Sequence, residues 1–227
     1  MTSSTTNQAP RTVLKNLRRM MPRRDLSLAE GRVVAEKQAL RFLHLSSCDS
    51  PADIIAAISG LPRLQLDANA ELTSSGLSAW NGSAWQILTN AADASTRQRF
   101  TVGHELKHIL DHRFHRHQHS YLPSGGRSTP EVTEAVCDHF AGCLLMPRPW
   151  LKAAITSGLQ DTTSLAAHFG VSRQAMRLRL DQTGLADSLR TQTPEQLFMR
   201  GRSTPQPNVW YPRTLYRRQA ATQPTAA

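Results

Sequence analysis

The sequence predicts an α+β fold that is mostly helical, with a small antiparallel sheet of about three strands followed by a helix-turn-helix-like segment. Three observations carry this. Apolar residues recur at helical spacing through 26–45, 99–114 and 129–146. Over 63–89 the pattern changes to alternation around an Asn81-Gly82 pair. Further on, Gly170-Val171-Ser172 separates two short helical stretches.

Residues 1–24 carry six basic residues and no acid, and 1–10 are poor in apolar residues. They are expected to form a basic, disordered tail, with a short basic amphipathic turn or two over Val13, Leu14, Leu17, Met20 and Met21. A folded core is expected over 25–152. Its first helix spans 26–45, with Ser27 as cap, and a second spans 52–59, ended by Gly60-Leu61-Pro62. Leu64-x-Leu66 and Leu77-x-Ala79 alternate, and Asn81-Gly82 lies between Leu77–Trp80 and Ala84–Leu88, a hairpin signal. Trp80 and Trp85 are expected in the sheet core. The next helix presents Phe100, Val102, Leu106, Ile109, Leu110 and Phe114, a surface broad enough to bury it. A later helix begins near Ser128 or Thr129, with Glu131 near its positive end, and stops at Pro147. Residues 153–189 hold the helix-turn-helix-like unit, in which Ser172 caps the second helix. Residues 190–227, with six arginines against Glu195 and five prolines, are expected to be a partly disordered tail.

Composition removes several classes of function. The net charge of +10 sits in the two tails, so the body between them is nearly neutral. The tails are read as solvated solubilising segments, with loose contact to nucleic acid possible but not favoured. No run of 18 apolar residues exists, so no membrane helix is expected. Three cysteines at 48, 137 and 143 form neither a Cys-x-x-Cys nor an even disulfide set. The expected compartment is a reducing cytoplasm.

The chemistry lies in His104-Glu105-Leu106-Lys107-His108. On a helix, His104 and His108 stand about 6 Å apart on one face and can offer two imidazole nitrogens to one metal ion. Glu105 projects about 100° away around the axis, where it can act as general base without ligating. A third ligand is needed. His112 lies about 12 Å along the helix from His104, too far to converge with it. Position 114 is Phe and no glycine occurs between 109 and 124, so a third histidine carried on a glycine turn is excluded. Glu134 and Asp138, four apart on the next helix, can supply a ligand and an acceptor for the free N–H of a ligating histidine. Either one alone reads as a solvated acidic face. Tyr121 and His139 are both candidates to stabilise an oxyanion, and spacing does not choose between them. His115, His117 and His119 alternate in what reads as a polar loop.

Arg99-Phe-Thr-x-x-His-Glu-x-x-His108 and Glu134-x-x-Cys-Asp-x-Phe-Ala-x-x-Leu-Leu-Met-Pro147 together resemble the two signatures of the ImmA/IrrE-type zinc metallopeptidases. Cys137 and Gly103 stand where alanine is usual. The resemblance spans roughly 25–187 and implies a minimal zincin-like core. It also implies one Zn²⁺ per chain held by His104, His108 and Glu134, with Asp138 behind them and Glu105 as the catalytic base. The implied substrate is a helix-turn-helix transcriptional repressor, cut to relieve repression in a stress or mobile-element switch. A rival reading is a non-catalytic regulator that binds DNA through 164–180, where Arg173, Gln174, Arg177 and Arg179 could meet a major groove. It needs a closed four-ligand metal site.

Overall fold

The computed structural model of the chain describes residues 11–190. Nine helices and a three-stranded sheet occur among them. The expectations for 1–10 and for the Pro/Arg-rich 191–227 lie outside the described residues.

Helix α1 (Arg11–Arg18) replaces part of the expected tail. It forms because Val13 and Leu17, four apart, both bury. The Leu17 carbonyl accepts from Gln38 Nε2 at 3.0 Å, and Arg18 Nη2 donates to the Ile109 carbonyl at 3.1 Å. Charge counting concealed this packing face. Helix α2 (Leu28–Leu45) starts from Ser27, whose backbone N–H donates to Glu30 while its hydroxyl accepts from the Glu30 N–H. Such a capping box satisfies two otherwise orphaned donors. Helix α3 (Asp53–Ser59) follows.

The sheet comprises β1 (Leu64–Asn69), β2 (Gly76–Trp80) and β3 (Trp85–Asn90), in the order β1-β3-β2. The β2–β3 hairpin is antiparallel, as its Asn-Gly signal predicts. β1 pairs parallel to β3, so the sheet is mixed rather than wholly antiparallel. The connector 70–75 carries the chain past the end of β3, and alternation of residues says nothing about such strand order.

Helix α4 (Ser95–Arg116) lies against β2 and β3. Gly76 allows the close approach, since a Cβ there would stand 2.3 Å from Thr101 Cγ2 and 2.8 Å from the Leu88 carbonyl. Helix α5 (Thr129–Leu145) crosses α4 where Gly103 meets Ala141; a Cβ at 103 would stand 3.3 Å from the Ala141 Cβ. Ser128 and Glu131 form its capping box. Pro147 ends α5 and caps α6 (Arg148–Thr156). The core runs continuously from Leu17 through Phe42, Ile87, Leu106 and Phe140 to Phe169.

The helix-turn-helix unit is α7 (Thr162–Phe169), a turn with Gly170 at φ 61°, and α8 (Arg173–Thr183) capped by Ser172. A short α9 (Ala186–Arg190) follows. Arg179 is buried in this packing: its Nε donates to the Met146 carbonyl at 3.0 Å. It therefore cannot read DNA, which corrects that part of the rival reading. Arg173, Gln174 and Arg177 remain exposed.

Candidate active site

Helix α4 places His104, Glu105 and His108 beside β2, and α5 brings Glu134 and Asp138 against the same face. A strand advances about 6.7 Å per two residues and a helix about 6 Å per four residues, so successive inward residues meet helix positions four apart. Gly76 therefore meets Thr101, and the Ser78 hydroxyl donates to Glu105 Oε2 at 2.7 Å. Further along, the Trp85 ring stands edge-on to His112, centroids 4.9 Å apart. Ser78 was not singled out in the sequence. Its place two residues after Gly76, on the inward side of β2, was the available signal.

His104 Nε2 and His108 Nε2 stand 3.1 Å apart. Glu134 Oε2 lies 3.2 Å from the first and Oε1 lies 3.4 Å from the second. A tetrahedral zinc with donors at 2.0–2.1 Å requires its ligand atoms to be about 3.3 Å apart. The three groups gather in a triangle in which Glu134 presents a different oxygen to each nitrogen, and a histidine–histidine–carboxylate donor set fits zinc. His104 Nδ1 donates to Asp138 Oδ1 at 2.8 Å, which fixes the ring so that Nε2 points at the triangle.

Electrostatics follow the same geometry. Burial lowers the His104 pKa, but the Asp138 hydrogen bond and the charges of Asp138, Glu134 and Glu105 outweigh it and hold the group above its ordinary value. His108 is held below its ordinary value by burial and by the His104 charge. The Glu134 side chain is 57% exposed, so the triangle is open to solvent on that side. Glu105 is only 8% exposed.

A second sulfur-containing donor set competes with this one. The buried Cys137 sulfur lies within 4.8 Å of the ligating nitrogens of both His104 and His108. Glu134 is the better third donor on distance, since it has an oxygen within 3.4 Å of each nitrogen, whereas the sulfur is placed only within 4.8 Å. Cys137 is the candidate for a fourth. Burial, with the charge of Asp111 next, pushes its thiol well above the ordinary range.

Neither oxyanion candidate reaches this face. Tyr121 is fully buried, its hydroxyl donating to Asp111 Oδ2 at 2.6 Å and accepting from Lys107 Nζ at 3.2 Å. His139 gathers instead with Glu36 and Cys143 beside Arg179. Burial, reinforced by Arg179 and Arg32, lowers its pKa to about 4. Trp80 is 44% exposed at the end of β2 rather than in the sheet core, and Arg63 lies over its ring at 4.8 Å.

Comparison with known proteins gives three findings. The family model described as Peptidase_M78, IrrE N-terminal-like domain, matches residues 66–181. No curated protein sequence matches the chain. Among solved structures, the chain is similar to a Mycobacterium tuberculosis transcriptional regulator, with 13% identity and a TM-score of 0.48. That alignment covers 74% of this chain and 51% of the regulator, so the chain spans about half the length of that relative.

Proposed function

The chain belongs to the IrrE N-terminal-like peptidase family, and from that premise we propose that it is a zinc-dependent endopeptidase whose substrate is a helix-turn-helix transcriptional repressor. The observation that carries this reading is the gathering of His104 and His108, nitrogens 3.1 Å apart, with the Glu134 carboxylate, one oxygen 3.2 Å from the first and the other 3.4 Å from the second, beside a carboxylate oriented by Ser78.

His104, His108 and Glu134 would hold the ion. When bound, Zn²⁺ supplies Lewis acidity, which polarises a scissile carbonyl and acidifies water. The chain's own residues do the rest. The Ser78 hydroxyl occupies Glu105 Oε2, which leaves Oε1 free to take a proton from the attacking water. The same oxygen then returns that proton to the leaving amine nitrogen. Asp138 keeps His104 in the ligating tautomer. β2 is an edge strand, so its outer backbone groups can pair with an extended peptide and carry it past Glu105. Leu77 and Trp80, both exposed on β2, offer apolar contact to such a peptide.

The test is a Glu105→Gln protein incubated with candidate repressors. It should keep its zinc and lose cleavage by about 10²- to 10⁴-fold, the usual worth of a general base. Cleavage at the wild-type rate would sink the mechanism.

The rival reading has one observation in its favour: Cys137 gathers with His104 and His108, so a sulfur donor stands where it could help to close the site around a structural metal. DNA contact would then fall to Arg173, Gln174 and Arg177. Under the peptidase reading, Cys137→Ala retains zinc and cleavage. Loss of zinc from that variant, together with an operator gel shift abolished by Arg173→Ala and Arg177→Ala, would favour the rival.

A further inference from the structure

A second concavity lies away from the histidine site, between the C-terminal end of α1 and the C-terminal end of α4. Its volume is about 660 Å³, within the usual range for small-molecule pockets. Five permanent cations line it: Lys15, Arg18, Arg19, Arg23 and Arg113. His117 and His119 complete the rim, so the polar part of the histidine-rich loop finds a place here. Among the described residues, no carboxylate lines it. The apolar part is Met21, Pro22 and Phe114.

Such an arrangement is costly without a counter-charge, because like charges converge on one concavity. Arg18 shows the cost directly. Its Nη2 is used by the Ile109 carbonyl, while its Nε is buried without a hydrogen-bond partner among the described residues. Burial and the nearby charge of Arg113 both lower its pKa. The chain has little with which to neutralise the cavity itself. Residues 1–10 contain no acid and residues 191–227 contain only Glu195. An anion from outside would supply the complement.

We propose that this cavity binds a small polyanion bearing two or more linked phosphate groups, held by Lys15, Arg19, Arg23 and Arg113 against the wall formed by Arg18. Arginine forks suit phosphate oxygens, and a concavity fed by two elements suits a compact ligand. A nucleic-acid backbone or an acidic protein would favour an extended basic stripe instead. Linked phosphates can be presented as an inorganic chain or on a nucleoside. Met21, Pro22 and Phe114 give the nucleoside an apolar seat that the inorganic chain cannot use.

The experiment is calorimetric titration of the full-length protein at about 150 mM salt, where non-specific surface attraction is largely screened. The probes are tripolyphosphate and adenosine triphosphate. The proposal predicts saturable one-to-one binding, weakened at least about tenfold by Arg19→Glu with Arg23→Glu, two exposed residues. The equally charge-altering pair Arg41→Glu with Lys152→Glu, exposed elsewhere on the surface, should leave binding unchanged. Tighter binding of the nucleotide would assign the ligand to the nucleoside class, and equal binding to the inorganic class. Absence of saturation by either probe up to millimolar concentration would overturn the proposal. So would equal weakening in both variants, or saturation only by a DNA duplex or a poly-glutamate peptide. None of these readouts depends on zinc or on peptide cleavage.

Discussion

Replacing Lys107 by methionine leaves Asp111 as a buried carboxylate answered only by the Tyr121 hydroxyl. Lys107, Asp111 and Tyr121 are all fully buried, close enough to the histidine site that the Asp111 charge acts on His108 and on Cys137. Lys107 Nζ donates to Asp111 Oδ1 at 2.5 Å and to the Tyr121 oxygen at 3.2 Å, and Tyr121 donates to Asp111 Oδ2 at 2.6 Å. The Lys107 ammonium thus has two oxygen partners in the cluster, with the Met21 sulfur 3.8 Å away as a further contact, and both Asp111 oxygens accept within it. Removing one partner of a buried ion pair costs about 3–5 kcal/mol, whereas replacing the whole cluster by apolar groups of similar volume is often neutral. Lys107→Met should therefore lower the midpoint of thermal unfolding by roughly 6–20 °C, at about 2–4 °C per kcal/mol for a domain of this size. The triple variant Lys107→Met, Asp111→Leu, Tyr121→Phe should recover most of that loss. Urea and thermal unfolding of the metal-free proteins measure both. A single variant within about 1 kcal/mol of wild type, or a triple variant less stable than the single, would refute the reasoning.

The other predictions concern the site. Ser78→Ala removes a hydrogen bond to a charged acceptor, worth about 1.5–3 kcal/mol, and should slow turnover roughly ten- to hundred-fold with zinc content unchanged. Full activity would show that Glu105 does not need the contact. Zinc affinity should fall as pH drops. His104 is held above its ordinary 6.5, so protons displace the metal from neutral pH downward, by about tenfold per unit below the raised value. Competition with a chromophoric chelator between pH 5.5 and 8 measures this, and a flat profile would contradict it.

Much of this architecture is written locally. The Ser27–Glu30 and Ser128–Glu131 capping boxes and the Asn81-Gly82 hairpin are each set within a few residues, so the chain reads them out directly. The pairing of His104 with His108 is equally local, because helix geometry alone aligns them. What the sequence hid is tertiary. Alternation marks β1 as a strand but not its parallel place beside β3. Val13 and Leu17 read as part of a basic tail because nothing local reveals that α2 and α4 cover them. The burial of Lys107 and Asp111 is set by Tyr121, which comes from the loop after α4 and completes the cluster. Arg179 reads as a DNA contact until Met146 claims its Nε. Glu134 and Asp138 lie between these extremes. Their spacing puts them on one face, but the meeting of that face with the histidines depends on the close crossing of Gly103 and Ala141.

The central claim is that His104, His108 and Glu134 hold one zinc ion. Elemental analysis of purified wild type and Glu134→Ala, each dialysed against a weak chelator, tests it most directly. The account predicts one zinc per wild-type chain and loss of most of it from the variant, since one of three protein ligands is gone. Zinc retained equally by both proteins, or absent from wild type, would contradict it.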